Sequence, residues 1–285
     1  HSLWLVFRLS VPENKIYPQY GLYAYSEGRF TERARKMWFD GVPVLFLPGN
    51  SGSHMQARSL ASVALRKALS KGYEYHFDFF SISYNEELSG LYGGVLQSQT
   101  RFAAASIAKI LSLYKSNKYT KTVPTSVILI GHSMGGLIAK RLLAYPSTIN
   151  MTTIVISLAA PLEAPVVNVD WWVNDAVAML KRKSYYSPKT DCAAEAGLRR
   201  GDETTYSRTE RAEYMLGYGG GLSLATTALP GVWTSPDHVC IVWCKQLVMA
   251  INRYLFSIVD PTTEQIVEDH QMLKSQAKHF FQVRI

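Results

Sequence analysis

The sequence predicts an α/β domain whose mainly parallel sheet carries helices on both faces, and three features support that expectation. Short apolar runs alternate with segments of helical periodicity, which is the signature of repeated strand–helix units. The apolar runs are continuous rather than alternating, as strands buried on both faces must be. The chain has 285 residues, 47% hydrophobic and 18% charged, long enough to enclose a sizeable core as one unit.

Taken in order, residues 21–26 read as an early strand. Residues 42–47 (Val-Pro-Val-Leu-Phe-Leu) form a short buried strand stopped by Pro48-Gly49. A helix over 54–70 and a strand over 77–84 follow. Phe102, Ala105, Ile107, Ile110, Leu111 and Leu113 supply the apolar stripe of a helix over 98–114. A strand over 126–130 leads to a helix over 135–145, stopped by Pro146, and then to a strand over 153–158. A helix over 170–181 has Asp170 as its N-cap. Residues 184–211 are polar and charged and read as a surface insertion. Residues 214–217 suggest a late strand and 239–258 a long apolar-periodic helix. The tail over 260–285 reads as a further polar helix or an extension. The expected organisation is one domain over 1–285 with its core at about 20–260.

The segment that carries chemistry is Val127-Ile128-Leu129-Ile130-Gly131-His132-Ser133-Met134-Gly135-Gly136-Leu137-Ile138-Ala139. It is a strand, then Gly-x-Ser-x-Gly, then a helix. In that context the serine sits on a sharp turn with its Oγ bared at the top of the sheet. A bare Gly-x-Ser-x-Gly arises by chance in roughly one chain in ten of this length. The apolar strand before it and the apolar helix after it make this instance far more specific, and narrow the expected architecture to the α/β-hydrolase fold. Ser133 is therefore the expected nucleophile. The loop Pro48-Gly49-Asn50-Ser51-Gly52-Ser53 follows an earlier strand, where this architecture draws its second oxyanion donor. The backbone N–H groups of Asn50 and Met134 are the expected pair.

The general base should follow the serine in the chain. His238 lies in Thr234-Ser235-Pro236-Asp237-His238-Val239, a turn leading into a helix, and is preferred over His270 and His279 in the polar tail. His132 adjoins the nucleophile but should point away from Oγ, in a packing or supporting role. The acid is unassigned. Asp170, Asp175, Asp191, Asp202 and Asp237 are available, and none has the strand-end placement expected of it.

Net charge of +8 and pI near 9.3 favour anionic partners. Nucleic acid is not expected, because the basic residues are scattered, and Lys181-Arg182-Lys183 and Arg199-Arg200 read as solvated faces. The 17 Tyr and 6 Trp suit surfaces that are apolar on one side and wet on the other. Cys192, Cys240 and Cys244 are too few and too poorly spaced for a metal set, so neither metal nor cofactor is expected. Cys240 and Cys244 read as buried small hydrophobes on one helix face. Asn150-Met151-Thr152 is a sequon that would accept glycan in a secretory compartment. No run of 18 apolar residues occurs, and the start at His1 suggests a piece of a longer membrane protein.

Several longer motifs now bear on family. Leu47-Pro48-Gly49-Asn50-Ser51-Gly52-Ser53, Gln56-Ala57-Arg58-Ser59-Leu60-Ala61, Asp78-Phe79-Phe80, Gly131-His132-Ser133-Met134-Gly135-Gly136 and Ala159-Ala160-Pro161-Leu162 together resemble the GPI inositol-deacylase family of the endoplasmic reticulum. Ala228-Leu229-Pro230-Gly231-Val232-Trp233-Thr234-Ser235-Pro236-Asp237-His238, continuing through Val242-Trp243-Cys244-Lys245-Gln246-Leu247-Val248, is the most distinctive part. The resemblance implies an endoplasmic reticulum membrane enzyme whose lumenal domain removes the fatty acyl chain from the inositol of GPI-anchored proteins. That reaction matures the anchor and aids protein export. Ser133 and His238 would carry over as nucleophile and base. The family pattern also has an aspartate shortly after a Gly-Gly, whereas here Gly219-Gly220-Gly221 runs directly into Leu222-Ser223-Leu224. Two other readings fit the same residues: a general lipase or acyltransferase, and a catalytically impaired module that still binds the GPI anchor.

Overall fold

The computed structural model describes residues 4–115, 117, 120–162, 171–186, 194–199 and 222–282. Strands β1 (Trp4–Leu9), β2 (Gly21–Glu27), β3 (Val42–Leu47), β4 (Phe77–Ser83), β5 (Val127–His132), β6 (Thr152–Leu158), β7 (Ala194–Arg199) and β8 (Leu222–Ala225) form one sheet. Their spatial order is β1-β2-β4-β3-β5-β6-β7-β8. β2 runs antiparallel to both its neighbours, and every pairing from β4 to β8 is parallel. This is the α/β-hydrolase fold.

Period-2 alternation explains why the central strands read as solid apolar runs. On one face Val44 and Phe46 of β3, Ile128 and Ile130 of β5, and Ile154 and Ile156 of β6 pack together. They are covered by α2 (Arg58–Lys71), α6 (Lys245–Ser257) and α7 (His270–Phe281). On the other face lie Leu45 and Leu47, Val127 and Leu129, and Val155. There α3 (Leu96–Lys115), α4 (Met134–Leu143) and α5 (Trp171–Tyr186) close the core. A short α1 (Phe30–Arg35) joins β2 to β3. Two further short strands, β9 (Val259–Asp260) and β10 (Gln265–Ile266), pair as a hairpin before α7. The tail is thus docked. Leu273, Ala277 and Phe281 recur every four residues along α7 and bury against the α6 face.

Several expectations shift in detail. The helix expected over 54–70 opens with a 3₁₀ turn, His54–Ala57, capped by Ser53, whose side chain accepts from Met55 N–H. The helix expected over 239–258 is broken. A 3₁₀ turn at Cys240–Val242 precedes α6, and Cys244 has the extended ψ of 113° that interrupts a helix. Cys240 and Cys244 flank that break and are half-buried, not core residues. The range 184–211 does not read through as an insertion. α5 runs on to Tyr186, and Ala194–Arg199 is an internal strand between β6 and β8. Its sequence, Ala-Glu-Ala-Gly-Leu-Arg, has no β-branched or aromatic residue, so ladder pairing and not propensity holds it. Asp170, Cys192 and the late strand expected at 214–217 lie outside the described residues. The described late strand is β8. Among the described residues no helix is long and apolar enough to cross a membrane.

Phe46 is fully buried at the centre of β3, one residue from the loop that reaches the site. Phe46→Ala is expected to destabilise the fold by about 3–5 kcal/mol, read from the midpoint of urea unfolding. A loss below about 1 kcal/mol would mean the α2–α6 face of this strand is not packed as described.

Candidate active site

The site begins where β5 ends. Ser133 has φ 53° and ψ −124°, a conformation that L-residues rarely adopt. Such a backbone costs on the order of 1–3 kcal/mol and persists only when its surroundings enforce it. They do here. Ser133 N–H donates to the Leu158 carbonyl of β6 at 2.8 Å, and its own carbonyl accepts from Gly136 N–H at 2.9 Å. The strand and helix that meet at this turn leave no room for side chains. A Cβ on Gly131 would lie 2.5 Å from Gly136 Cα, and one on Gly135 would lie 2.0 Å from the Leu47 carbonyl oxygen. Both motif glycines are therefore required by close approach, one of strand to helix and one of helix to the neighbouring strand.

The second loop comes directly against the serine. A Cβ on Gly49 would sit 2.5 Å from Ser133 Cβ and 3.2 Å from its Oγ. Asn50 follows Gly49, and Met134 opens α4, where the first N–H groups have no partner within the helix. The structure thus gathers the three expected segments, those of Ser133, Asn50 and Met134. The Asn50 loop is fastened from outside. Its Oδ1 accepts from Gly90 N–H at 2.8 Å, and Ser51 N–H donates to the Glu87 carbonyl at 3.0 Å. The Glu87 carboxylate in turn accepts from Tyr20 Oη at 2.6 Å and Gln99 Nε2 at 3.0 Å. This buttress was not anticipated from sequence, because its members lie far apart along the chain.

His238 is brought to the same place. Its backbone carbonyl accepts from Nε2 of His132, the residue adjoining Ser133, at 2.7 Å, and the two imidazole centroids are 4.9 Å apart. A carbonyl partner makes Nε2 the protonated nitrogen of His132. Its Nδ1 is buried without a hydrogen-bond partner among the described residues. His132 therefore has the supporting role expected of it, and the support is specific: it pins the turn that carries His238. That turn is shaped by Asp237, whose Oδ1 accepts from Val239 N–H at 2.8 Å and Cys240 N–H at 2.6 Å. Asp175 lies on α5, and Asp170, Asp191 and Asp202 lie outside the described residues. The carboxylate for His238 thus stays unassigned. His279 is exposed near the end of α7, as expected of a solvated histidine.

One further cluster has metal-ligand chemistry. The Asp40, His76 and Asp78 ligand atoms lie within 4.8 Å of one another. It sits at the opposite end of the sheet, where β3 and β4 begin. Its groups answer each other. His76 Nε2 is 3.2 Å from Asp78 Oδ1 and 3.6 Å from Asp40 Oδ1, and Arg33 reaches Asp40 Oδ2 at 2.8 Å. Asp78 Oδ2 accepts from Gly41 N–H and Tyr114 Oη, each at 2.8 Å. Burial alone would lower the His76 pKa, but the two aspartates outweigh it and raise it. The cluster reads as an internal ion network.

Burial lowers the His132 pKa to about 4, and the neighbouring His238 adds to that. His132 is therefore neutral at physiological pH. A histidine held below its unfolded pKa contributes stability fully present above about pH 6.5 and lost as pH falls toward about 4. In an NMR titration the His132 ring should stay unchanged from pH 8 to 5 and shift only near pH 4. Titration near 6.5 would show the ring solvated and the His238 turn unpinned.

The PGAP1-like alpha/beta domain family model matches residues 38–258. Relatives named GPI inositol-deacylase are 40% identical in Xenopus laevis, 39% in Mus musculus and 36% in Drosophila melanogaster, over 98%, 94% and 88% of this chain. The chain spans only 30%, 29% and 28% of those relatives' lengths. The matched span runs from the start of β3 to the end of α6 and so includes the serine turn, the Asn50 loop and His238. The chain belongs to the PGAP1-like alpha/beta domain family.

Proposed function

We propose that this chain is the catalytic part of a serine hydrolase that removes the fatty acyl chain from the inositol of GPI anchors. The observation that carries the reading is the backbone of Ser133, held at φ 53° with the Gly49 loop against its Oγ. Strain of this kind is retained where a side chain must be presented for reaction. The relatives' shared name supplies the substrate class.

In the proposed reaction, His238 takes the Ser133 proton as Oγ attacks the acyl carbonyl. The N–H groups of Asn50 and Met134 hold the oxyanion, and His238 returns the proton to the departing inositol oxygen. Water, deprotonated by His238, then cleaves the acyl-enzyme, releasing fatty acid and restoring Ser133. GPI-anchored proteins are the partners on this reading, and no cofactor takes part. The proposed location is the endoplasmic reticulum membrane with this domain in the lumen. The sequon supports it, since Asn150 is exposed in the turn leading into β6.

Ser133→Ala should lower fatty-acid release from inositol-acylated GPI by about 10⁴-fold or more and abolish labelling by a fluorophosphonate probe. Turnover of simple triglycerides at a comparable rate would point instead to a general lipase. GPI binding without probe labelling of the unaltered protein would point to a binding module. In a mammalian cell line the protein should carry an endoglycosidase H-sensitive glycan that Asn150→Gln removes. A protein with no such glycan would count against the lumenal placement.

A further inference from the structure

Eight of the fifteen exposed large apolar side chains among the described residues fall in three short segments. Leu88, Leu91 and Tyr92 follow β4. Trp171 and its neighbour open α5. Trp233, Val239 and Trp243 flank His238. Trp233 is 76% exposed and Trp171 62%. Packing alone does not account for aromatic rings held so far out of the core.

Contacts tie these segments into one band across the site. The rings of Trp171 and the residue after it stack at 4.0 Å, and the backbone behind them abuts Gly93, where a Cβ would lie 2.6 Å from Val173 N. Gly90, next to Leu91, donates to Asn50, and Gly49 lies on Ser133. On the far side of the serine His132 holds His238. Thr234 Oγ1 meets Cys244 Sγ at 3.4 Å, joining the Trp233 turn to the Trp243 turn. The apolar band therefore runs along both sides of the serine and continues through it.

The band is also almost without charge. Residues 88–95, 171–174 and 230–245 contain two charged side chains, Asp237 and Lys245. The chain's 18% charged content would place about five there. The one carboxylate, Asp237, is turned onto the backbone of Val239 and Cys240, and Trp and Tyr beside Leu with so little charge is the composition that settles at the boundary between water and lipid headgroups. A protein segment covering the same band would close the serine off. A bilayer pressed against it instead presents lipid to the serine.

We propose that this rim, centred on Leu91, Trp171, Trp233 and Trp243, docks the catalytic face onto a lipid bilayer surface, so that the acyl ester reaches Ser133 without crossing water. The inference deepens the hydrolase reading by saying how the substrate arrives. The test uses the full protein reconstituted in phosphatidylcholine vesicles. Trp233→p-benzoylphenylalanine is illuminated with radiolabelled phosphatidylcholine present, and Tyr73→p-benzoylphenylalanine at the opposite end of the sheet serves as control. A lipid adduct at 233 and none at 73 is expected, equally in a Ser133→Ala background, so the result does not depend on catalysis. An adduct to another segment of the protein, equal lipid adducts at both positions, or none at 233 overturns the proposal. In a second arm, Trp171→Ser with Trp233→Ser should raise KM for bilayer-borne GPI about tenfold while leaving kcat for soluble p-nitrophenyl butyrate unchanged. An unchanged KM also overturns it. A Ser133→Ala protein that still turns over ester would instead sink the hydrolase reading while leaving the lipid adduct standing.

Discussion

The site depends on one backbone constraint, the left-handed φ of Ser133 at the junction of β5 and α4. A serine in that conformation relaxes unless its neighbours forbid it. Three close approaches do so. Helix α4 lies against β5 at Gly131, α4 lies against the end of β3 at Gly135, and the loop after β3 lies against the serine at Gly49. Each contact is backbone against backbone or backbone against Cβ, so none can yield by turning a side chain. The order of the central strands makes the arrangement possible, because β3 and β6 flank β5 directly. β6 supplies the Leu158 carbonyl that fixes Ser133 N–H, and β3 supplies the loop that lies against the serine at Gly49.

The two ends of the sheet are consequently treated differently. At the start of β3 and β4, polar groups are paired to saturation. His76, Asp40, Asp78, Arg33 and Tyr114 answer one another and fix where the strands begin. At the other end, strain and an orphaned buried nitrogen accumulate. Ser133 is held off its preferred backbone, and His132 Nδ1 is buried with no partner among the described residues.

Most of the fold was legible because burial on both faces writes itself into sequence as solid apolar runs. Val42–Leu47 and the strand before Ser133 needed nothing beyond local pattern, and the glycine spacing around Ser133 marked the turn. What stayed hidden was fixed by distant partners. β1 pairs only with β2 at the sheet edge, and β7 is held by ladder bonds to β6 and β8 with no apolar run of its own. The helix after His238 read as continuous because its apolar periodicity is continuous, although Cys244 leaves the helical region. At the site, motif and chain order pointed to the segments of Ser133, Asn50, Met134 and His238, which the fold brings together. The Glu87 buttress could not, since it joins residues 20, 51, 87 and 99 by contacts that no local window contains.

The link from His132 to His238 bears on how such a site tolerates variation around its third member. The acid of a serine–histidine pair holds the imidazole in one tautomer and orientation and stabilises its charge. Here part of the positioning is met by another route, because His132 Nε2–H grips the backbone of His238 itself. The grip comes from the residue adjoining Ser133, so the His238 turn and Ser133 are referenced to the same strand end. The neutral ring makes this bond with its proton on Nε2, and burial keeps the ring neutral by holding its pKa near 4. A carboxylate is then required for the ring of His238 but not for its place. That division leaves the chain free to supply the acid from a segment with no fixed spacing to the Pro-Asp-His turn, and local sequence pattern alone does not single that segment out.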